Sequence, residues 1–199
     1  MIKLYDHPLS GNAYKPRLLL HQLGVPFERI IVDLFKGEHK NEEFSKLNQN
    51  QKIPVIVDGN FVMWESNAIL LYLVKKYSPN SFSSDDPETY GHIAQWVLFG
   101  KTTIDPNLAM ARYLAKFVPD HDPKDMKKFH AMGNVALKTL DDHLTGKDFL
   151  VGNYSIADIA CYPYIMLAPE GGVDLTYYLN IQRWMENIGS TKNFLPFGD

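Results

Sequence analysis

The chain changes its hydrophobic rhythm once, across "SPNSFSSDDP" at residues 78–87. Before this stretch, short β-branched runs alternate with helical segments; after it, only helical periodicity is left. Serine, proline, aspartate and asparagine dominate the crossing, a composition that neither strand nor helix sustains. This predicts an α/β domain over residues 1–78, a linker over 79–86 and an all-α domain over 87–199.

The order of elements in the first half follows from local signals. "IKLY" alternates apolar with polar residues, as a short strand does, and the leucines at 18, 19, 20 and 23 predict a buried helix ended by Gly24. "FERIIVD" reads as a second strand, "KGEHK" as a polar loop and "NEEFSKLN" as a short helix. In "IPVIVDGNFVMWES", two β-rich runs flank Asp58-Gly59-Asn60, the residue types of a hairpin turn. "SNAILLYLVKKY" is a further helix, so the order is β-α-β-α-β-β-α. Strands joined through a helix are expected to be parallel, with an antiparallel hairpin completing the sheet. In the second half, "ETYGHIAQWVLFGKTTIDPNLAMARYLAKF" and "DPKDMKKFHAMGNVALKTLDDHL" read as two long helices. A third begins near Ser155, where Ser155 and Asp158 have capping-box spacing, and a fourth runs through "LNIQRWMENIG".

Several chemistries are excluded. The net charge of −3 gives no general electrostatic footing for nucleic acid. A single cysteine, Cys161, rules out a disulfide framework within the chain and fits a reducing compartment, so the expected location is the cytoplasm. No apolar run approaches the ~18–20 residues of a membrane span, and no signal peptide is evident. The seven histidines show no metal-ligand spacing, so no metal is expected.

Three short motifs remain, each with a plain structural reading beside a functional one. In "SGNAYKPR", Ser10 and Asn12 sit between strand and helix, where they can donate to an anion or form an ordinary turn. Pro54 opens a strand inside the sheet; a cis Ile53–Pro54 bond would leave the Ile53 N–H and C=O free for an extended ligand, whereas a trans bond would simply start a strand. Glu65 and Ser66 at a helix start suit the ammonium and carboxylate of an α-amino acid, or plain helix capping. Pro16 adds a constraint: with Asn12 as N-cap it would lie one place too deep, so the helix is expected to start later or to be distorted in its first turn.

Together "SGNAYKPRLLLHQLG", "GEHKNEEFSKLNQNQKIPVIVDG", "WESNAILLYL" and "GNYSIADIA", in this order and along the whole chain, resemble the cytosolic glutathione S-transferase superfamily. Within it the chain looks most like the serine-type enzymes, the theta, delta and related bacterial groups. The resemblance implies a thioredoxin-like domain that binds glutathione, followed by an all-α helical bundle forming the electrophile pocket. It places the catalytic serine on Ser10, with Asn12 in support. It gives Ile53, before Pro54, to the cysteinyl unit, Glu65 and Ser66 to the γ-glutamyl end, and His39, Gln51 and Lys52 to the glycyl carboxylate. Gln51 stands where delta-like enzymes often have histidine, and Asn67 where they carry arginine. No cysteine occupies the turn, unlike in the omega and glutaredoxin-like enzymes.

The implied activity is conjugation of the glutathione thiolate to a small hydrophobic electrophile, in a homodimer that uses neither nucleic acid nor membrane. Alternatives from other classes are a non-catalytic binding or regulatory module and a glutathione-dependent isomerase or peroxidase. Trp96, Met110, Tyr113 and Phe117 are candidates to line the electrophile pocket, with core packing as their plain reading.

Overall fold

The computed structural model describes residues 1–78 and 81–198. Two compact units emerge: Met1–Pro79 with Lys192–Asp199, and Asn80–Thr191. The first two positions of the expected 79–86 linker lie outside the described residues. The sequence reading gives all of 87–199 to the helical domain, but the segment after Thr191 packs with the first unit instead.

The first unit holds a four-stranded sheet in the order β2-β1-β3-β4, from β1 (Ile2–Asp6), β2 (Phe27–Ile31), β3 (Val55–Asp58) and β4 (Phe61–Trp64). β1 and β2 are parallel, with Ile2 opposite Phe27, because α1 (Gly11–Leu23) carries the chain back across the sheet. β3 runs antiparallel to both β1 and β4, and the hairpin turns at Gly59 with φ 61°. Alternation along β1 sends Ile2, Leu4 and Asp6 into the core, whereas Tyr5 meets Phe44 of α2 (Glu42–Leu47) edge-on at 5.9 Å. α3 (Ser66–Tyr77) packs on α1. A short 3₁₀ turn, Glu38–Lys40, lies where a plain loop is expected.

The helical unit comprises α4 (Pro87–Phe99), α5 (Met110–Phe117), α6 (Pro123–His143), α7 (Ile156–Met166) and α8 (Leu179–Gly189). Between α4 and α5 the helix does not stop: Gly100–Ala109 continues it as a π-helical stretch containing Pro106. A proline cannot supply its N–H to an α-helical ladder, and local widening of the turn is a recurrent way of accommodating the break. The capping box at α7 is formed, with the Ser155 N–H donating to Asp158 Oδ2 at 2.9 Å. Phe82, within the expected linker, is pinned to this unit: its carbonyl accepts the Ile156 N–H at 2.9 Å and its ring meets Tyr154 at 5.7 Å.

Candidate glutathione site on the α/β unit

Ser10 is the N-cap of α1. Its hydroxyl oxygen accepts the Ala13 N–H at 3.1 Å, and its carbonyl accepts the Tyr14 N–H at 3.0 Å. The helix therefore begins at Gly11, earlier than the position of Pro16 predicts, and Pro16 falls inside it as the sixth helical residue. A serine that caps by accepting still owns one hydroxyl proton, so capping and donation to a ligand are compatible in one side chain.

Asn12 lies in the first turn of α1, and its Oδ1 accepts the Ser66 hydroxyl at 3.1 Å. Ser66 is the first residue of α3 and is 2% exposed. This bond brings the starts of two packed helices, and two of the candidate residues, into contact. Positive partial charge gathers at both helix starts, a setting that favours a bound anion.

Glu65 precedes α3 at φ 72° and ψ 108°, a conformation that L side chains rarely adopt. It occupies the N-cap position without a side-chain capping bond, so plain capping does not account for a glutamate here. The Ile53–Pro54 peptide is cis. Pro54 is buried and Ile53 half-buried at the start of β3.

The residues assigned to the glycyl end are more scattered in role. His39 sits in the 3₁₀ turn with its Nδ1 buried and without a hydrogen-bond partner. Burial, helped by the neighbouring Lys40 charge, holds its imidazole below the usual range, so at neutral pH it offers an N–H and no charge. Gln51, with φ 53°, turns its amide towards α2, where Nε2 donates to Ser45 Oγ at 3.1 Å. Lys52 is exposed, and its carbonyl accepts Asn48 Nδ2 at 2.7 Å.

Beneath the turn lies an ion cluster that no short motif marks. Asp6, fully buried at the end of β1, accepts Arg17 Nη1 at 2.8 Å and Arg29 Nε at 2.6 Å through Oδ2, and the His7 N–H at 2.6 Å through Oδ1. The signal was available: Asp6 continues the inward face of Ile2 and Leu4, and an acid there requires cationic partners. In the helical unit, Trp96 is 5% exposed and packs on Phe99 and His143, so it is a core residue. Met110 and Tyr113 are 38% and 50% exposed. Among the described residues no group of three or more His, Cys, Asp or Glu side chains could hold a metal ion, and no helix is long and apolar enough to cross a membrane.

Known proteins share the sequence pattern and the fold. Residues 1–75 match the family model for the glutathione S-transferase N-terminal domain. The disulfide-bond oxidoreductase YfcG of Escherichia coli is 31% identical over 198 residues, spanning 96% of this chain and 91% of that protein. Among solved structures, a glutathione S-transferase from Pseudomonas fluorescens superposes with a TM-score of 0.94 at 37% identity, covering 100% of this chain and 99% of the other. A glutathione transferase from Burkholderia graminis, solved with two glutathione molecules bound per subunit, superposes with a TM-score of 0.89 at 29% identity, covering 96% and 85%. Similarity that runs through both units at this level extends well beyond the thioredoxin-like fold, and the chain belongs to the glutathione S-transferase family.

Proposed function

We propose that this chain is a serine-type glutathione transferase, in which the α/β unit binds glutathione and the Ser10 hydroxyl donates to its sulfur. The observation that carries this is the Ser10 geometry: a hydroxyl that accepts its capping bond from Ala13 and keeps its proton for another acceptor. Asn12 and the start of α1 support the same anion. The Ile53 backbone takes the cysteinyl unit, Glu65 and Ser66 the γ-glutamyl end, and His39, Gln51 and Lys52 the glycyl carboxylate.

A cysteinyl thiol has a pKa of about 8.5, so lowering it by two units requires roughly 2.7 kcal/mol of thiolate stabilisation. A hydroxyl donor, an amide and a helix start, each contributing about 1 kcal/mol or more, are sufficient. The thiol proton leaves to solvent. The thiolate then forms a carbon–sulfur bond to an apolar electrophile taken by the helical unit, and the leaving group departs with its electron pair. Serine acts as a donor to sulfur throughout and never as a base. We place the protein in the cytoplasm as a homodimer; the apolar Phe61, Val62 and Trp64, 45%, 39% and 43% exposed on edge strand β4, support self-association.

Conjugation of glutathione to a chloronitrobenzene, measured across pH for the wild type and Ser10→Ala, tests the assignment. A rise of the apparent pKa in Ser10→Ala supports it; full activity at every pH in Ser10→Ala transfers the role to Asn12. Failure of the wild type to be retained on immobilised glutathione, with no ligand-induced stabilisation, would instead favour a non-catalytic module.

The likeness to a disulfide-bond oxidoreductase supports a second reading, glutathione-dependent disulfide reduction. Cys161 is fully buried, with its thiol directed at the Trp96 carbonyl at 3.4 Å, so the attacking sulfur would be glutathione's own. Turnover of a small disulfide with glutathione, set beside the chloronitrobenzene rate, separates the two.

A further inference from the structure

The first turn of α1 is tied to the remainder of its helix less firmly than a helical turn usually is. Pro16 has no N–H to give the Asn12 carbonyl, and its ring crowds that carbonyl. The residues ahead of this break carry the Ser10 cap and Asn12. Tyr14 belongs to the same turn and is fully buried.

The far end of the chain bridges the break. The Tyr14 hydroxyl donates to the Leu195 carbonyl, and the Tyr14 ring meets Phe197 edge-on at 5.3 Å and 80°. Beyond the proline, His21 Nδ1 shares a 2.8 Å hydrogen bond with the Asn193 carbonyl. The terminal segment therefore grips α1 on both sides of Pro16. Tyr14 also reaches the turn by another route. The Arg17 guanidinium lies 5.3 Å from its ring centre and binds Asp6, whose Oδ1 holds the His7 N–H; the His7 carbonyl in turn receives the Ser10 N–H at 2.9 Å.

We infer that residues 192–198 splint α1 across the Pro16 break, and that Tyr14 is a positioning residue that aims the Ser10 hydroxyl. The second half rests on the reading of Ser10 as the thiolate donor. Hydrogen bonds weaken steeply as they bend, so a small tilt of the first turn lowers thiolate stabilisation while leaving the cap intact.

The experiment uses full-length wild type, Tyr14→Phe and Phe197→Ala, with three readouts: amide hydrogen exchange along α1, the pH profile of conjugation, and glutathione affinity. Both variants are expected to speed exchange at residues 11–15 relative to 18–23. They should raise the apparent pKa by about half a unit to one unit, a loss of kcat/KM of about 1.5- to threefold at pH 7 that grows to about three- to tenfold at pH 5.5, while glutathione affinity moves less than about threefold. Unchanged exchange in the first turn of both folded variants overturns the splint, whatever the activity. Faster exchange with an unmoved pH profile overturns the positioning role and leaves Tyr14 purely structural. A wild type that binds glutathione without a lowered thiol pKa overturns the Ser10 reading, and the positioning role with it, while the exchange data still decide the splint.

Discussion

The indole N–H of Trp184 donates to Asp158 Oδ1 at 2.8 Å, tying α8 to the first turn of α7. The same oxygen accepts the Leu150 N–H at 2.9 Å, and Oδ2 holds the Ser155 cap. One carboxylate thus serves a helix cap, a loop and a distant helix. Asp158→Asn presents an NH₂ group to several of these donors and is expected to cost about 2–3 kcal/mol in chemical denaturation at pH 7.

Asp158 also links stability to pH. Burial pushes its carboxyl from 3.8 up to about 6, against the pull of the N–H donors around it. The folded chain therefore holds this proton more tightly than the unfolded chain. The resulting stabilisation is complete below 3.8 and is lost as pH rises through about 6, at most roughly 3 kcal/mol. Denaturant midpoints between pH 4 and 7 should carry this slope in the wild type and lack it in Asp158→Asn; parallel slopes would show that the group titrates normally.

The two roles of Ser10 can be separated. Ser10→Ala is expected to lose about 1 kcal/mol of stability with the cap. Ser10→Asp keeps a good capping acceptor but sets a negative charge beside the thiolate. Its melting temperature should stay near that of the wild type while conjugation falls at least tenfold. Equal loss of stability in both variants would mean that the cap at 10 depends on more than a side-chain acceptor.

Asp6→Asn leaves Arg17 and Arg29 facing each other over a neutral group. A loss of about 3–5 kcal/mol is expected, because removing one partner of a buried ion pair strands the other. The double variant Asp6→Leu/Arg17→Leu should be less destabilised than the sum of Asp6→Leu and Arg17→Leu, and the coupling is read from that double-mutant cycle by urea unfolding.

Gly171 is fixed by close approach: a Cβ there would lie 2.7 Å from the Arg112 backbone nitrogen of α5. The same contact region holds the Arg112–Glu170 pair at 2.7 Å. Gly171→Ala must move one backbone against another and is expected to cost at least about 2 kcal/mol. A melting temperature within a degree of the wild type would show that this contact yields easily.

Much of the fold was legible because its signals are local. The Asp58-Gly59-Asn60 hairpin, the Gly24 stop with φ 65° and the Ser155–Asp158 box each depend on residues a few positions apart. The start of α1 was misplaced because Pro16 argues for a later first turn, and the contacts of Tyr14 that outweigh it come from residues 195 and 197. Trp96 is offered as a pocket residue with core packing as its plain reading, and the core is what its 5% exposure shows; periodicity alone cannot say which neighbour covers a helix face. At the site, Ser10 and Asn12 belong to one motif and Ser66 to another, and the Asn12–Ser66 bond that joins them spans 54 positions and has no sequence signature. Gln51 was legible by position and not by direction, because only the structure turns its amide to Ser45.

The packing of Lys192 and its successors with the amino-terminal unit also bears on the order in which the protein is made. Everything else in that unit is synthesised before the helical unit is begun, yet Tyr14 must wait for Leu195 and Phe197 to be added. A domain encoded first is therefore finished last. A gene fragment ending near residue 78 would yield a sheet and helices whose first helix has never met its final partner.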